Sequence, residues 1–388
     1  MKPKRKTKHR AGAPSSRRRI NPDIPPETQR VAHDVAHEYE QRLRADLDAR
    51  KRTAEKIIDR GQRSLRTAVN DRAWFAIHTQ FQHERAALVA RLQPPGGVGR
   101  DALHEYATLK RRMKTYIRDL GIAADKVRNV GQEVFAELKH SVWARPLVPQ
   151  KNFGTAAPMS AFTDLLGGIA GSGVFAKPHE FITLRPPFDS ARIGFFSSSA
   201  SAGADHIGFS REVAVDQTAG LVGHTLTGTI TGASEFDIAR GIADTQIEFL
   251  FKPPVAGLVE VLIEAQNGLN QHFVEARDEF GISWYEIDQQ NFLMMHVLHP
   301  NVTAPSLAST SGFPWDNDED DLQTREHLIP GGDIFARLVS DGPVPAGQLV
   351  TIRAGTRSDD YMAANDITLT SRSTFHWFIK AVHVRIAP

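Results

Sequence analysis

The chain has 388 residues, no cysteine, 47 Lys+Arg and 45 Asp+Glu, for a formal charge of +2. The absence of cysteine excludes disulfides, thiolate metal sites, iron–sulfur clusters and cysteine nucleophiles. The small net charge hides a division: residues 1–150 sum to +15 and residues 151–388 to −13, so each half is expected to have its own partners.

Residues 1–24 read as a disordered basic arm. Lys2, Lys4, Arg5, Lys6, Lys8, Arg10, Arg17, Arg18 and Arg19 stand there, with no acid in the first 20 residues and almost nothing apolar to bury. This composition suits a polyanion, nucleic acid first, because each neutralised phosphate releases counterions. The two basic clusters also fit a bipartite nuclear import signal or attraction to an anionic membrane, and a solvated tail is the plain alternative. No apolar run follows the arm, so no secretory signal is expected, and no stretch of about 18 apolar residues predicts a membrane-spanning helix.

Residues 25–145 read as a long antiparallel helical hairpin with coiled-coil character. Apolar residues recur at Val31, Val35, Tyr39, Leu43 and Leu47, then at Ile57, Ile58, Leu65, Val69, Ile77 and Phe81. Pro94-Pro95-Gly96-Gly97 is a stop, and Leu103, Tyr106, Leu109, Met113, Ile117, Val127, Val134 and Leu138 carry a second helical stripe. Breaks are expected near Gly61 or Asn70, and Gly121 and Gly131 weaken the second stretch. His33 and His37 share a helix face at zinc spacing, but Asp34 stands where a metalloprotease needs Glu, so an exposed pair is expected.

Residues 146–178, rich in Pro, Gly, Ser and Ala, read as a linker. Gly171-Ser172-Gly173 resembles a dinucleotide fingerprint only loosely, because Lys177-Pro178 stands where its helix should run. Residues 179–388 hold most of the 21 phenylalanines in short alternating runs between turn signals. They predict an antiparallel β-sandwich, jelly-roll-like, and the chain as a whole is multidomain α+β. His224, Leu226, Gly228 and Ile230 alternate with Thr225, Thr227, Thr229 and Thr231, the pattern of a half-buried strand. Residues 300–330 read as a long polar insertion.

That insertion holds the weak ligand candidates. Trp315 is the aromatic expected to be exposed for stacking. Asp316, Asp318 and Asp320 match the opening of a calcium loop, but Asp321 and His327 replace its Gly and its bidentate Glu. No cofactor is expected beyond this calcium possibility, and the acidic run could instead pair with the basic half. No nucleophile elbow or phosphate loop occurs. The sequence therefore points to a non-enzymatic, homo-oligomeric binding or assembly protein. Its arm would engage nucleic acid and its sandwich would mediate self-assembly or ligand recognition, capsid-like in general plan. The expected location is cytoplasmic or in a virion-like assembly, and nuclear in a eukaryotic host. The alternatives are a carbohydrate- or cell-surface-binding sandwich on a helical stalk, and a hydrolase on the β domain.

Overall fold

The computed structural model describes residues 26–92, 100–145, 157–158, 182–201, 206–231, 236–278, 284–299, 306–317, 323–329, 332–365 and 367–387. Four helices come first: α1 (Pro26–Val69), α2 (Asp71–Leu92), α3 (Arg100–Asp119) and α4 (Ala124–His140). Thirteen strands follow among the described residues. They are β1 (Ala157–Pro158), β2 (Ile182–Leu184), β3 (Ser190–Ala200), β4 (His206–Asp216), β5 (Leu221–Thr231), β6 (Phe236–Phe251) and β7 (Gly257–Asp278). The rest are β8 (Trp284–Leu298), β9 (Ser306–Asn317), β10 (Gln323–Leu328), β11 (Asp333–Val344), β12 (Val350–Asn365) and β13 (Ile367–Ala387).

Where the sequence reads as two long helices, the described residues form four. The first break is at Asn70, which has φ 66°, a left-handed conformation that Asn tolerates better than most residues. Its side-chain oxygen accepts from the Ala73 N–H at 2.9 Å and caps α2. The second break is at Gly121, with φ 71°. Gly61 and Gly131 stay inside helices. At Gly61 a Cβ would strike Val134, so the glycine lets α1 and α4 approach closely. Helix α1 packs on α4, and α2 packs on α3. Leu43 and Leu47 of α1 pack on Ile242, Phe292 and Met294 of the sheet rather than on a helix, so the stripe is not one continuous coiled-coil seam.

The strands form two antiparallel sheets. Sheet A has the order β1-β11-β7-β13-β5-β4, with β10 also on β7 and β2 also on β13. Sheet B has the order β3-β6-β12-β8-β9. The region 300–330 is not one long loop, since β9 and β10 pair with β8 and β7. On β5 the threonines are half-buried while His224, Leu226 and Ile230 are fully buried, as the alternation requires. The inner faces meet in two apolar clusters. One holds Val222, Ile247, Phe249, Val261, Leu293, Ile352, Phe375 and Trp377, and the other holds Leu226, Ile230, Val274, Tyr285, Ile287, Met362 and Leu369.

The helices lie on the far side of sheet B, where α1 touches β3, β6 and β8. Phe236, Ile238, Tyr361 and Ala363 of that face join Ile57, Trp74, Met113, Phe135 and Trp143 in a third cluster. The centre of sheet B is therefore buried on both sides, and every residue of β12 is buried.

Candidate functional site

The surface between α1 and sheet B combines apolar packing with a buried charged seam. Inward positions of β12 (Ile352, Ala354, Met362) belong to the sandwich core, so by alternation Arg353, Arg357, Asp359 and Tyr361 face the helices. Arg357 donates through Nε and Nη2 to the two carboxylate oxygens of Asp244 on β6, both at 2.6 Å. Arg240 donates to both oxygens of Asp359 at 2.8 and 2.7 Å. It also donates to the Trp143 and Arg145 carbonyls, and its guanidinium lies over the Trp143 ring. The end of the helical layer is thus tied to the sheet by one buried cation.

Other contacts extend this seam. Arg353 pairs with Glu248 at 2.8 Å, and Arg192 of β3 reaches Glu40 of α1 at 2.6 Å. Arg44 of α1 lies over the Phe195 ring, 4.9 Å from its centroid, and Tyr39 packs edge-on against His296. Burial pushes the His296 imidazole well below its ordinary range, and Arg353, Arg357 and Arg192 add to the effect. Burial, with Asp244, raises the Tyr39 hydroxyl against the opposing pull of Arg357. For Arg357 burial works against the charge, but Asp244 and Tyr39 outweigh it and hold the guanidinium above its usual value. The two bidentate pairs both run between β6 and β12, so they fix the register of those strands, since any other leaves a buried charge unpaired.

A second polar group crosses the sandwich between its two apolar clusters. His224 of β5 lies 2.8 Å from the Ser358 hydroxyl and 3.2 Å from that of Thr245, which contacts Thr356 at 2.7 Å. Ser358 donates to Asn291 at 2.5 Å, and Asn291 donates to Asn270 at 3.0 Å. Ser373 donates to Asp360 at 2.6 Å and lies 3.4 Å from His272. Burial, then Arg211 and His376, push His224 down to about 3. Burial, then His327, push His272 down to about 4. Burial, with Asp359 and Asp288, raises Asp360 well above the carboxylate range.

These groups include a serine beside a histidine, yet the proton of Ser358 goes to Asn291. The hydroxyl can then only accept from His224, the reverse of a serine activated by a base. His224 and Ser358 are both 0 % exposed, so substrate has no route to them. The belt acts as an internal hydrogen-bond frame joining β5, β6, β7, β8, β12 and β13.

The sequence-derived candidates fall elsewhere. Lys2, Lys4, Arg5, Lys6, Lys8, Arg10, Arg17, Arg18 and Arg19 lie outside the described residues, as do Asp318 and Asp320. Trp315 and Asp316 lie on β9, opposite Ile287 and Glu286. Among the described residues no group of three or more His, Asp or Glu side chains is placed to hold a metal. His33 and His37 stack on an exposed face of α1. His296 faces α1, and His299 contacts Gln348 at 2.7 Å. Sequence reasoning missed the seam. Its one signal was the Arg357-Ser358-Asp359-Asp360 run, in which charge and hydroxyl alternate between two apolar runs.

No protein-family model and no curated protein matches the chain. Among solved structures, an enzymatically active domain of tailspike protein 4 from bacteriophage CBA120 aligns at 12% identity and a TM-score of 0.11. The alignment covers 47% of this chain but 19% of that one, so the match spans about a fifth of the tailspike domain. TmCBM61, solved with β-1,4-galactotriose, aligns at 9% identity and a TM-score of 0.11, covering 45% of this chain and 86% of that one. An isomalto-dextranase of Arthrobacter globiformis T6, complexed with panose, aligns at 10% identity and a TM-score of 0.07, covering 46% and 34%. Likeness at this level carries no weight for what the chain binds.

Proposed function

We propose that the chain is a non-enzymatic assembly protein: a jelly roll carrying a helical layer, with a basic arm that engages nucleic acid. The observation that carries this reading is the strand order. Strands β5, β13, β7 and β11 lie in one sheet and β6, β12, β8 and β9 in the other, and the chain alternates between them as in a jelly roll. Its interior is filled by two apolar clusters and a polar belt, which leaves recognition to the surface. The arm leads directly into α1, whose base the Arg192–Glu40 pair ties to sheet B. A cationic segment preceding the helical layer suits capture of a long polyanion by an assembling particle.

The test is purification of the full chain with and without nuclease, followed by particle sizing. Co-purified nucleic acid in large particles, lost after nuclease or in 1 M salt, supports the reading. Small, nucleic-acid-free particles that ignore salt overturn it.

Phe75 favours a second reading, in which the helices oligomerise and the sandwich is displayed. This ring is 74 % exposed on α2. A discrete dimer or trimer by light scattering, reduced to monomer by Phe75→Glu, would support that reading over the first.

A further inference from the structure

We propose that the groove between α1 and the start of α4 is a second nucleic-acid contact, built for the phosphodiester backbone. The inference rests on the polyanion reading above but uses different residues. The groove is shallow and open to solvent, with a volume of about 740 Å³, and is lined by Arg60, Arg63, Ser64, Thr67, Ala68 and Lys126. It contains three cations and two hydroxyls, and among the described residues no carboxylate lines it.

The sequence makes this groove through helical periodicity. Positions 60, 63, 64, 67 and 68 recur at steps of three and four, so they form one ridge along α1. Leu65 and Val127 are buried beneath, and Gly61 lets Val134 close in. The ridge from Arg60 to Thr67 spans about 10 Å at 1.5 Å per residue. That matches about three phosphates at the 3.4 Å strand rise.

The charges are available. Arg63 and Lys126 are exposed and have no ion-pair partner among the described residues. Arg60 pairs with Glu137 at 2.6 Å, but that pair is about half exposed, so a phosphate can compete for the guanidinium. Elsewhere on these helices acids face the bases, as in Arg42–Glu38, Arg50–Asp46 and Lys51–Glu55. The groove departs from that pattern in that, among the described residues, only Arg60 of its three cations has a carboxylate partner. Arg60 lies about 50 Å along α1 from Pro26, so arm and groove would hold separate stretches of one strand.

The test uses the full chain and a full-length arm-neutral chain, in which the nine arm cations are Gln. The probe is fluorescein-labelled oligo-dT read by anisotropy across a NaCl series. The arm-neutral chain should bind more weakly but with clear salt dependence. Arg63→Glu with Lys126→Glu in that background should cut affinity at least tenfold and flatten the salt slope by about 1.5. Arg52→Glu with Arg118→Glu, a charge-matched change away from the groove, should leave both nearly intact. Equal losses from the two double variants would overturn the proposal. So would an arm-neutral chain that no longer binds while the intact chain does, which leaves the arm reading standing. An arm-neutral chain that binds as tightly as the intact one sinks the arm and keeps the groove. No binding by the intact chain sinks both. Matching thermal unfolding of all variants confirms that the fold is not what changed.

Discussion

Arg357 and Asp244 are 1% and 2% exposed, so each charge depends on the other for its solvation. Arg357→Ala should lower the unfolding free energy by about 3–5 kcal/mol, because it strands a buried carboxylate. Arg357→Met with Asp244→Leu should cost far less, since it removes both charges together. Urea unfolding of the three proteins checks this, and equal losses would mean that the pair does not act as a unit. The belt histidines make a separate prediction. His224 and His272 are neutral in the fold, with values pushed down to about 3 and about 4 from an unfolded 6.5. Their contribution is complete above pH 6.5 and is lost as pH falls, because the unfolded chain takes up protons first. Between pH 7 and pH 5 the loss should be about 2 kcal/mol per histidine. Asp360 works in the opposite sense: with its carboxyl raised by burial, it favours folding at low pH and loses that effect as pH rises above 3.8. Unfolding midpoints at pH 7, 6 and 5 for the wild type and His224→Gln should show a shallower fall in the variant. Parallel curves would remove His224 as a cause.

At the scale of elements, Asn70 both turns the chain and caps α2. Asn70→Ala should cost about 1–2 kcal/mol, losing the cap and straining the left-handed backbone, whereas Asn70→Gly should cost only a few tenths. Thermal unfolding distinguishes them, and equal costs would show that the backbone angle does not matter. This break was legible in the sequence because Asn is among the few residues that accept that conformation. The apolar stripes through Leu43, Leu47, Ile57, Leu65 and Met113 were legible for the same local reason, periodicity. Strand β12 was not. A strand buried on both faces normally reads as a run of Val, Ile and Leu, but here one face meets a charged seam and the other a polar belt. Only the pairing of β12 with both β6 and β8 identifies Arg357, Asp359 and Asp360 as core residues. Strand β7 likewise reads as two pieces, because Asn267-Gly268 looks like a turn, yet it runs continuously beside β13 through register shifts. At Gly355, where a Cβ would collide with the Thr245 carbonyl, Gly355→Ala should destabilise by more than 1 kcal/mol through steric clash alone.

For the whole molecule, the opposed charges of the two halves suggested that they might attract one another. The contacts are more specific: buried Arg240, paired with Asp359 inside sheet B, holds the Trp143 and Arg145 carbonyls at the end of the helical layer, and Arg192–Glu40 joins β3 to α1, while the groove cations face solvent. Buried pairs are screened far less than surface ones. Near-UV circular dichroism, which senses the packing of Trp143 under Arg240, should therefore stay constant from 0.05 to 1 M NaCl, while polyanion binding collapses over the same range. A salt-induced loss of the aromatic signal would show that the layer is held by surface attraction instead.

The helical layer contacts β3, β6 and β8, all in sheet B. That placement gives each subunit a front and a back, and any closed shell built from such subunits inherits the distinction. One wall would be helical and cationic and the other β-sheet. With the helices turned inward, the particle would enclose its polyanion. With them turned outward, it would wear the polyanion as a coat. In such a shell the orientation of a single subunit would set whether a bound polyanion is protected from nuclease.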